Sequence, residues 1–216
     1  MKAALKRRPG RPKDEELCSR RREEILDAAS RVFAANSYRN TDLQFIANRL
    51  KLSKASIYRY FDSKEKLFLA AVDRGIARLH EHVSASEAGE SDPLKRLTRV
   101  VYAYLAFFRA NPHIVELLIQ ERVEFKNRKE PSYFVHREQC LEPWREAFRD
   151  LIAQGRVRRI PVDRILDVLP DMLYGTMVTN HFIDRRRPHE EQARDIVDIL
   201  FHGILTTQEK ARRSDG

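Results

Sequence analysis

Residues 41–67 read TDLQFIANRLKLSKASIYRYFDSKEKL, which is two short helical patterns and the start of a third. Thr41 with Gln44 three residues on has capping-box spacing. From there Leu43, Ile46, Ala47 and Leu50 recur on one helical face. Lys51 and Leu52 form a connection, and Ser53 is placed to cap a second helix carrying Ile57, Tyr58 and Phe61. Asp62 with Glu65 caps a third. A short helix, a tight turn and a second short helix make the arrangement that lays its second helix in the major groove of DNA. Any small helical bundle also contains such a pair, so periodicity alone does not separate a DNA reader from a structural hairpin.

The residue identities separate them. Ile46-Ala47, then LSKASIYRYF over Leu52 to Phe61, then Lys64-Glu65-Lys66-Leu67 form an ordered set at fixed spacing, preceded by Ile25-Leu26-Asp27-Ala28-Ala29 and Phe33. From about Arg20 to Val72 the chain resembles the DNA-binding domain of the TetR family of bacterial one-component transcriptional repressors. Two positions depart from that pattern: Ser37 and Lys51 stand where the family has glycine. Glycine suits such turns because it reaches positive φ without a Cβ clash, so both turns are expected to be strained or differently shaped. The resemblance implies that Lys54, Ala55, Ser56 and Tyr58 meet base edges or thymine methyls, with Lys54 best placed for a guanine. Gln44 either joins them or is taken up as a cap. Thr41, Tyr60 and Lys64 are implied to bind phosphates, and Arg59 to do either.

Charge points the same way. Residues 1–70 carry 17 Lys and Arg against 9 Asp and Glu, whereas the remaining 146 carry 24 against 23, so nearly all of the net +9 lies at one end. Concentrated basic charge is the footprint of phosphate contact and counterion release. Part of it sits in an arm over residues 1–19, expected to be disordered, that reads KRRPGRPK from Lys6 to Lys13. The Gly10-Arg11-Pro12 core resembles an AT-hook, and Arg11 either enters an A·T minor groove or simply attracts phosphate. No apolar stretch follows the arm and no run of 18 apolar residues occurs, so neither a secretory signal nor a transmembrane helix is implied. Cys18 and Cys140 follow no ligand spacing and are expected as thiols in a reducing cytoplasm, with redox sensing through Cys140 the minor alternative.

The rest reads as helix after helix. With only 7 Gly in 216 residues and no strand-like alternation, the expected fold is all-α. It comprises about nine helices: a three-helix helix-turn-helix domain over residues 20–66 (motif about 42–61) and a helical effector-binding and dimerisation domain over 67–210. The reading expects a loop over Ser84–Ser91, helix starts at Asp92-Pro93 and Asn111-Pro112, a helix ending at Gly155, and Pro143 either opening or kinking that helix. On the final helix Ile196, Val197, Leu200, Phe201 and Ile204 form a stripe, and the helix before it offers Gly175 for close approach. The resemblance implies that these two helices and their mates make a four-helix homodimer interface, as a two-fold DNA reader requires. It also implies a pocket between the middle helices for a small-molecule effector, with Tyr102, Phe107, Phe125, Trp144, Phe148, Tyr174, Met177 and His181 as candidate walls, although any helical core holds such aromatics. No phosphate loop, nucleophile elbow or metal-ligand cluster is visible, so no enzyme, cofactor or metal site is expected. The expected function is a repressor released from a palindromic double-stranded operator by an inducer. The alternative is an effector-independent architectural DNA-binding protein.

Overall fold

The computed structural model describes residues 15–202, and every regular element among them is a helix. In order these are α1 (Glu15–Asn36), α2 (Leu43–Arg49), α3 (Lys54–Tyr58), α4 (Lys64–Glu87), α5 (Pro93–Ala110), α6 (Pro112–Glu124), α7 (Ser132–Ala153), α8 (Val162–Phe182) and α9 (His189–His202). The first helix begins at Glu15, five residues earlier than the sequence suggested, with Glu15 and Glu16 favourably placed at its positive end. Residues expected in the basic arm are therefore helical from Glu15 onward, and the rest of that arm lies outside the described residues.

Local caps set the helix starts of the reading head, and two differ from expectation. Asp42, not Thr41, caps α2: its carboxylate accepts the Gln44 N–H at 2.8 Å. Thr41 is buried and its hydroxyl donates to the Ser37 carbonyl at 2.7 Å. Ser53 caps α3 as expected, accepting the Ser56 N–H, but α4 is capped by Ser63 rather than Asp62, whose carboxylate pairs with Lys66 instead. Ser37 and Lys51 adopt φ of +65° and +54°, so the two turns keep the left-handed geometry that glycine favours without having the glycine. Further along, α4 continues through Glu87 where a loop had been expected. Ser86 returns its hydroxyl to the Val83 carbonyl, and the chain turns at Gly89 with φ +76°. Pro143 lies inside α7 and Pro170 inside α8, and Asp92 caps α5 just before Pro93.

One apolar core runs the length of the described chain. In the reading head Ile25, Phe33, Ile46, Ile57, Leu67 and Phe68 are completely buried, and that cluster continues into Ile76, Val101, Ile114 and Leu117 without a break. The expected boundary at residues 66/67 falls inside the first turn of α4, so one helix serves both parts. A second tie comes from α6. Phe125 joins Tyr38 and Phe68 in an aromatic joint with ring centroids 5.1–5.7 Å apart, Gln120 donates to the Phe33 carbonyl, and Glu124 pairs with Arg39 at 2.7 Å. The α4–α6 approach depends on Gly75, since a Cβ there would lie 3.0 Å from Ile114 Cγ2. The N-terminus of α7, preceded by Pro131 and without a side-chain cap of its own, is held by buried Glu121 of α6. One carboxylate oxygen of Glu121 accepts the Ser132 N–H at 3.0 Å, the Ser132 hydroxyl and Arg128.

The two left-handed turns make a stability prediction. An L residue in that conformation costs roughly 1–2 kcal/mol, and the greater freedom of glycine in the unfolded chain offsets part of the relief. Ser37→Gly and Lys51→Gly are each expected to raise stability by about 0.5–1 kcal/mol. Urea unfolding midpoints at constant m-value check this, and a lowered midpoint for either variant would contradict it.

Candidate nucleic-acid interface and ligand cavity

Helix α3 and the start of α2 present a polar, partly basic edge. Ala55, Tyr58 and Arg59 are exposed, Tyr58 to 44 %. Ser56 faces Ser53 with the two hydroxyls 2.8 Å apart. Lys54 does not stand free: its Nζ lies 2.8 Å from Asp42 Oδ1, the same oxygen that caps α2. Lys54 and the capped N–H together hold the Asp42 carboxyl below the usual carboxylate range. Gln44 is exposed and donates from Nε2 to Asn48 Oδ1, so its side chain is not used as the cap. Lys64 sits over the Tyr38 ring at 4.7 Å and donates to the Arg39 carbonyl, on the edge where α4 begins. Tyr60 is half-buried against the core. Of the residues assigned to DNA, Thr41 is the one whose hydroxyl is turned inward and already committed. Arg11 lies outside the described residues.

Between α4, α5, α7 and α8 lies a partly open cavity of about 390 Å³. Its walls are mostly apolar, among them Ile76, Leu79, Leu97, Leu166, Leu169 and Leu173. Trp144 and Phe148 line it as the sequence suggested. The other six candidates lie elsewhere. Tyr174 packs on Tyr133 and Phe134, Phe107 is buried against Phe108, and Tyr102 is half-buried on the core. Phe125 belongs to the aromatic joint with the reading head. Met177 and His181 line a second, smaller space of about 150 Å³ near the α8–α9 connection, where His181 pairs with Glu116 at 3.1 Å. Sequence reading missed several polar members of the larger cavity: His80, Glu87, Arg96, Arg137, Cys140 and Tyr104, whose buried hydroxyl lies 2.8 Å from that of Tyr133. A signal was present on α7, where Tyr133, Arg137, Leu141, Trp144 and Phe148 recur three to four residues apart and the charged member stands out.

Burial disfavours the charged forms of Tyr133, His80 and Cys140. It pushes the Tyr133 phenol up to about 12, and it lowers the His80 imidazole with help from nearby His136. The Cys140 thiol, 3.5 Å from the His80 ring, is pushed up by burial and by Glu87, the reverse of what an activated redox thiolate needs. On the far side of the chain, Ile196 is buried in the chain's own core rather than facing outward. Val197 and Leu200 are half-buried, while Phe201, Ile199, Val168, Phe182 and Ile183 are exposed. Gly175 is exposed with no neighbouring atom near its Cβ position, and Ile204 lies outside the described residues.

These features define a helix-turn-helix protein with a hollow helical body. Residues 25–71 match the sequence model of the bacterial regulatory proteins of the tetR family. That match covers the helix-turn-helix region, 47 of the 216 residues. A curated relative, an uncharacterised HTH-type transcriptional regulator of Mycobacterium tuberculosis, is 36% identical over 90 residues, 42% of this chain and 45% of the relative. The chain thus spans less than half the length of the curated relatives at the head of the comparison. The nucleoid occlusion factor SlmA of Aliivibrio fischeri is 26% identical over 160 residues, 72% of this chain and 79% of that one. Among solved structures, AibR in complex with isovaleryl coenzyme A and operator DNA has the same fold, with a TM-score of 0.64 at 21% identity, covering 84% of this chain and 98% of that one. No helix among the described residues is long and apolar enough to cross a membrane.

The Asp42–Lys54 pair gives the interface a testable property. Asp42→Asn keeps an oxygen able to cap α2 and releases Lys54. The variant is expected to bind random duplex more tightly and to steepen the fall of log affinity with log salt by about 0.9, one additional phosphate contact. Fluorescence anisotropy across a salt series reads both. An unchanged slope would mean that Lys54 leaves Asp42 on DNA in the wild type as well.

Proposed function

We propose that this chain is a homodimeric repressor that binds a palindromic operator and is released by a small, largely apolar effector. The observation that carries the reading is the sharing of one helix between two sites. The first turn of α4 holds Lys64 at the edge of the reading head, and its later turns, with Ile76, Leu79 and Val83, wall the 390 Å³ cavity. Ligand pockets run roughly 300–1,000 Å³ and are mostly apolar, as this one is. AibR, with the same fold, carries an acyl coenzyme A and operator DNA together in its crystal structure. The exposed Val168, Phe182, Ile183, Ile199 and Phe201 on α8 and α9 support a dimer face there, shifted from the stripe that the sequence suggested because Ile196 is used internally. Two heads on a two-fold axis must sit about 34–36 Å apart to enter successive major grooves, so a small swing of α4 forfeits many contacts at once.

The second reading, an architectural DNA-binding protein without an effector, draws on the long match to the nucleoid occlusion factor. Binding to the DNA flanking the chain's own gene, followed by a compound screen for release, separates the two. Preference for a discrete palindrome supports the repressor, and equal binding to random duplex rejects it.

Within the repressor reading the head divides its labour. Lys64→Ala is expected to weaken binding to all duplexes alike and to flatten the salt slope by about one unit. Lys54→Ala is expected to relax preference at particular base pairs. Identical behaviour of both variants across an operator library contradicts that division. By linkage, an inducer must bind free protein more tightly than operator-bound protein by the factor by which it weakens operator affinity. Calorimetry with and without operator measures both, and equal ligand affinities rule the mechanism out.

A further inference from the structure

The charges on the cavity wall narrow the ligand class. Arg96 is satisfied: its Nε and one terminal nitrogen both reach Glu87 Oε2, at 3.2 and 3.0 Å, and its guanidinium lies over Trp144. His80 is held neutral by burial, so it adds no charge at neutral pH. Arg137 is different. Its side chain is 19% exposed and lies over the Phe134 ring at 5.2 Å. Its carboxylate partners, Asp171 at 2.7 Å and Glu138 at 3.8 Å, are themselves 67% and 63% exposed, and its Nε is buried without any partner among the described residues. A guanidinium presents its donors as a rigid fork that matches one carboxylate, and an unpaired buried donor is costly. One charged group with an unpaired donor, in a wall otherwise apolar or internally paired, suits one negative charge.

We propose that the cavity takes an apolar molecule ending in a single carboxylate, and that Arg137 receives that carboxylate. The proposal rests on reading the cavity as the effector site and specifies its chemistry. The apolar walls take the tail, and the carboxylate engages the Arg137 guanidinium in competition with solvent-facing Asp171. A cationic amphiphile meets Arg137 and Arg96 as like charges. A neutral one brings Arg137 no charge to pair with.

The chain's sole tryptophan, Trp144, lines the cavity and reports occupancy directly. Its fluorescence is followed on titration with decanoate, decanol, decyltrimethylammonium and decanoyl coenzyme A, each below its aggregation threshold. Decanoate is expected to bind about tenfold or more tightly than decanol, the range of a charge-assisted hydrogen bond, with the cation weakest. Arg137→Gln is expected to abolish the preference of decanoate over decanol, with decanol still perturbing Trp144. Asp171→Asn, a surface change, is expected to tighten decanoate binding. Equal binding of decanoate and decanol overturns the head-group assignment alone, as does an Arg137→Gln variant that keeps the preference. Tighter binding of decanoyl coenzyme A than of decanoate, or of the cation, also overturns it. If none of the four perturbs Trp144, the carboxylate proposal and the reading of the cavity as an effector site fall together.

Discussion

The unbroken run of α4 governs the rest of the structure. Its 24 residues, Lys64 to Glu87, make a rod of about 36 Å at 1.5 Å per residue. No proline interrupts it, and Gly75 within it serves close packing rather than bending, because Ile114 occupies the space a side chain would take. At one end Leu67 and Phe68 are buried in the core of the reading head, and at the other Val83 and Glu87 line the cavity. A helix hydrogen-bonded along its length transmits displacement better than it absorbs it. The position of the recognition helix is therefore tied to the separation of α4 from α5 and α7, which is the width of the cavity.

A single rod would leave the head free to pivot, and α6 supplies the second constraint. Its last turns touch the head at three chemically different points: a hydrogen bond to the end of α1, the Tyr38–Phe68–Phe125 joint and the Arg39–Glu124 pair. The pair is the weakest of these, since Arg39 is 75% exposed and a solvated ion pair contributes little. The aromatic joint matters more, because edge and stacked rings in a close-packed core have few alternative arrangements. Held by both α4 and α6, the head has a limited set of positions rather than a continuum. Packing with few alternatives is what the proposed switch would need.

Much of the head was legible in sequence because its determinants are local. Ser53 caps α3 through a bond to an N–H group three residues away, and such a bond follows from spacing alone, as does the Asp92 cap of α5 in the body. The choice between Thr41 and Asp42 did not. Both are cap-competent neighbours, and the decision was made by the left-handed turn at Ser37, whose carbonyl claims the Thr41 hydroxyl. The cavity was harder still. An aromatic on an amphipathic helix has the same sequence signature whether it meets another side chain, as Phe107 and Tyr174 do, or a void, as Trp144 does. The void is a property of how far α7 stands from α4 and α8, and no residue on α7 encodes that distance by itself. The outer face of α9 shows the same limit, since Ile196 and Ile199 belong to one periodic helix yet only the first is covered by the chain.

The placement of Arg137 connects these parts. It lies five residues beyond Ser132, a little over one turn along α7 from the point where Glu121 of α6 pins that helix. Three and four residues past Glu121 on α6 come Glu124 and Phe125, the contacts with the head. Glu121 is 2% exposed, and one of its carboxylate oxygens has no partner among the described residues, so the joint between α6 and α7 carries a buried charge that tolerates little displacement. A group that draws on Arg137 therefore acts on α7 close to a stiff connection, through which α6 and then the head are engaged. The same group also presses on α4 from inside the cavity. A ligand shifts an equilibrium only by its differential affinity for two states, and here it has two independent ways to acquire one: polar, through Arg137 and the α7–α6 connection, and apolar, through the spacing of α4. A molecule with only a tail engages the second alone, which is a physical reason for the cavity to hold an arginine at all.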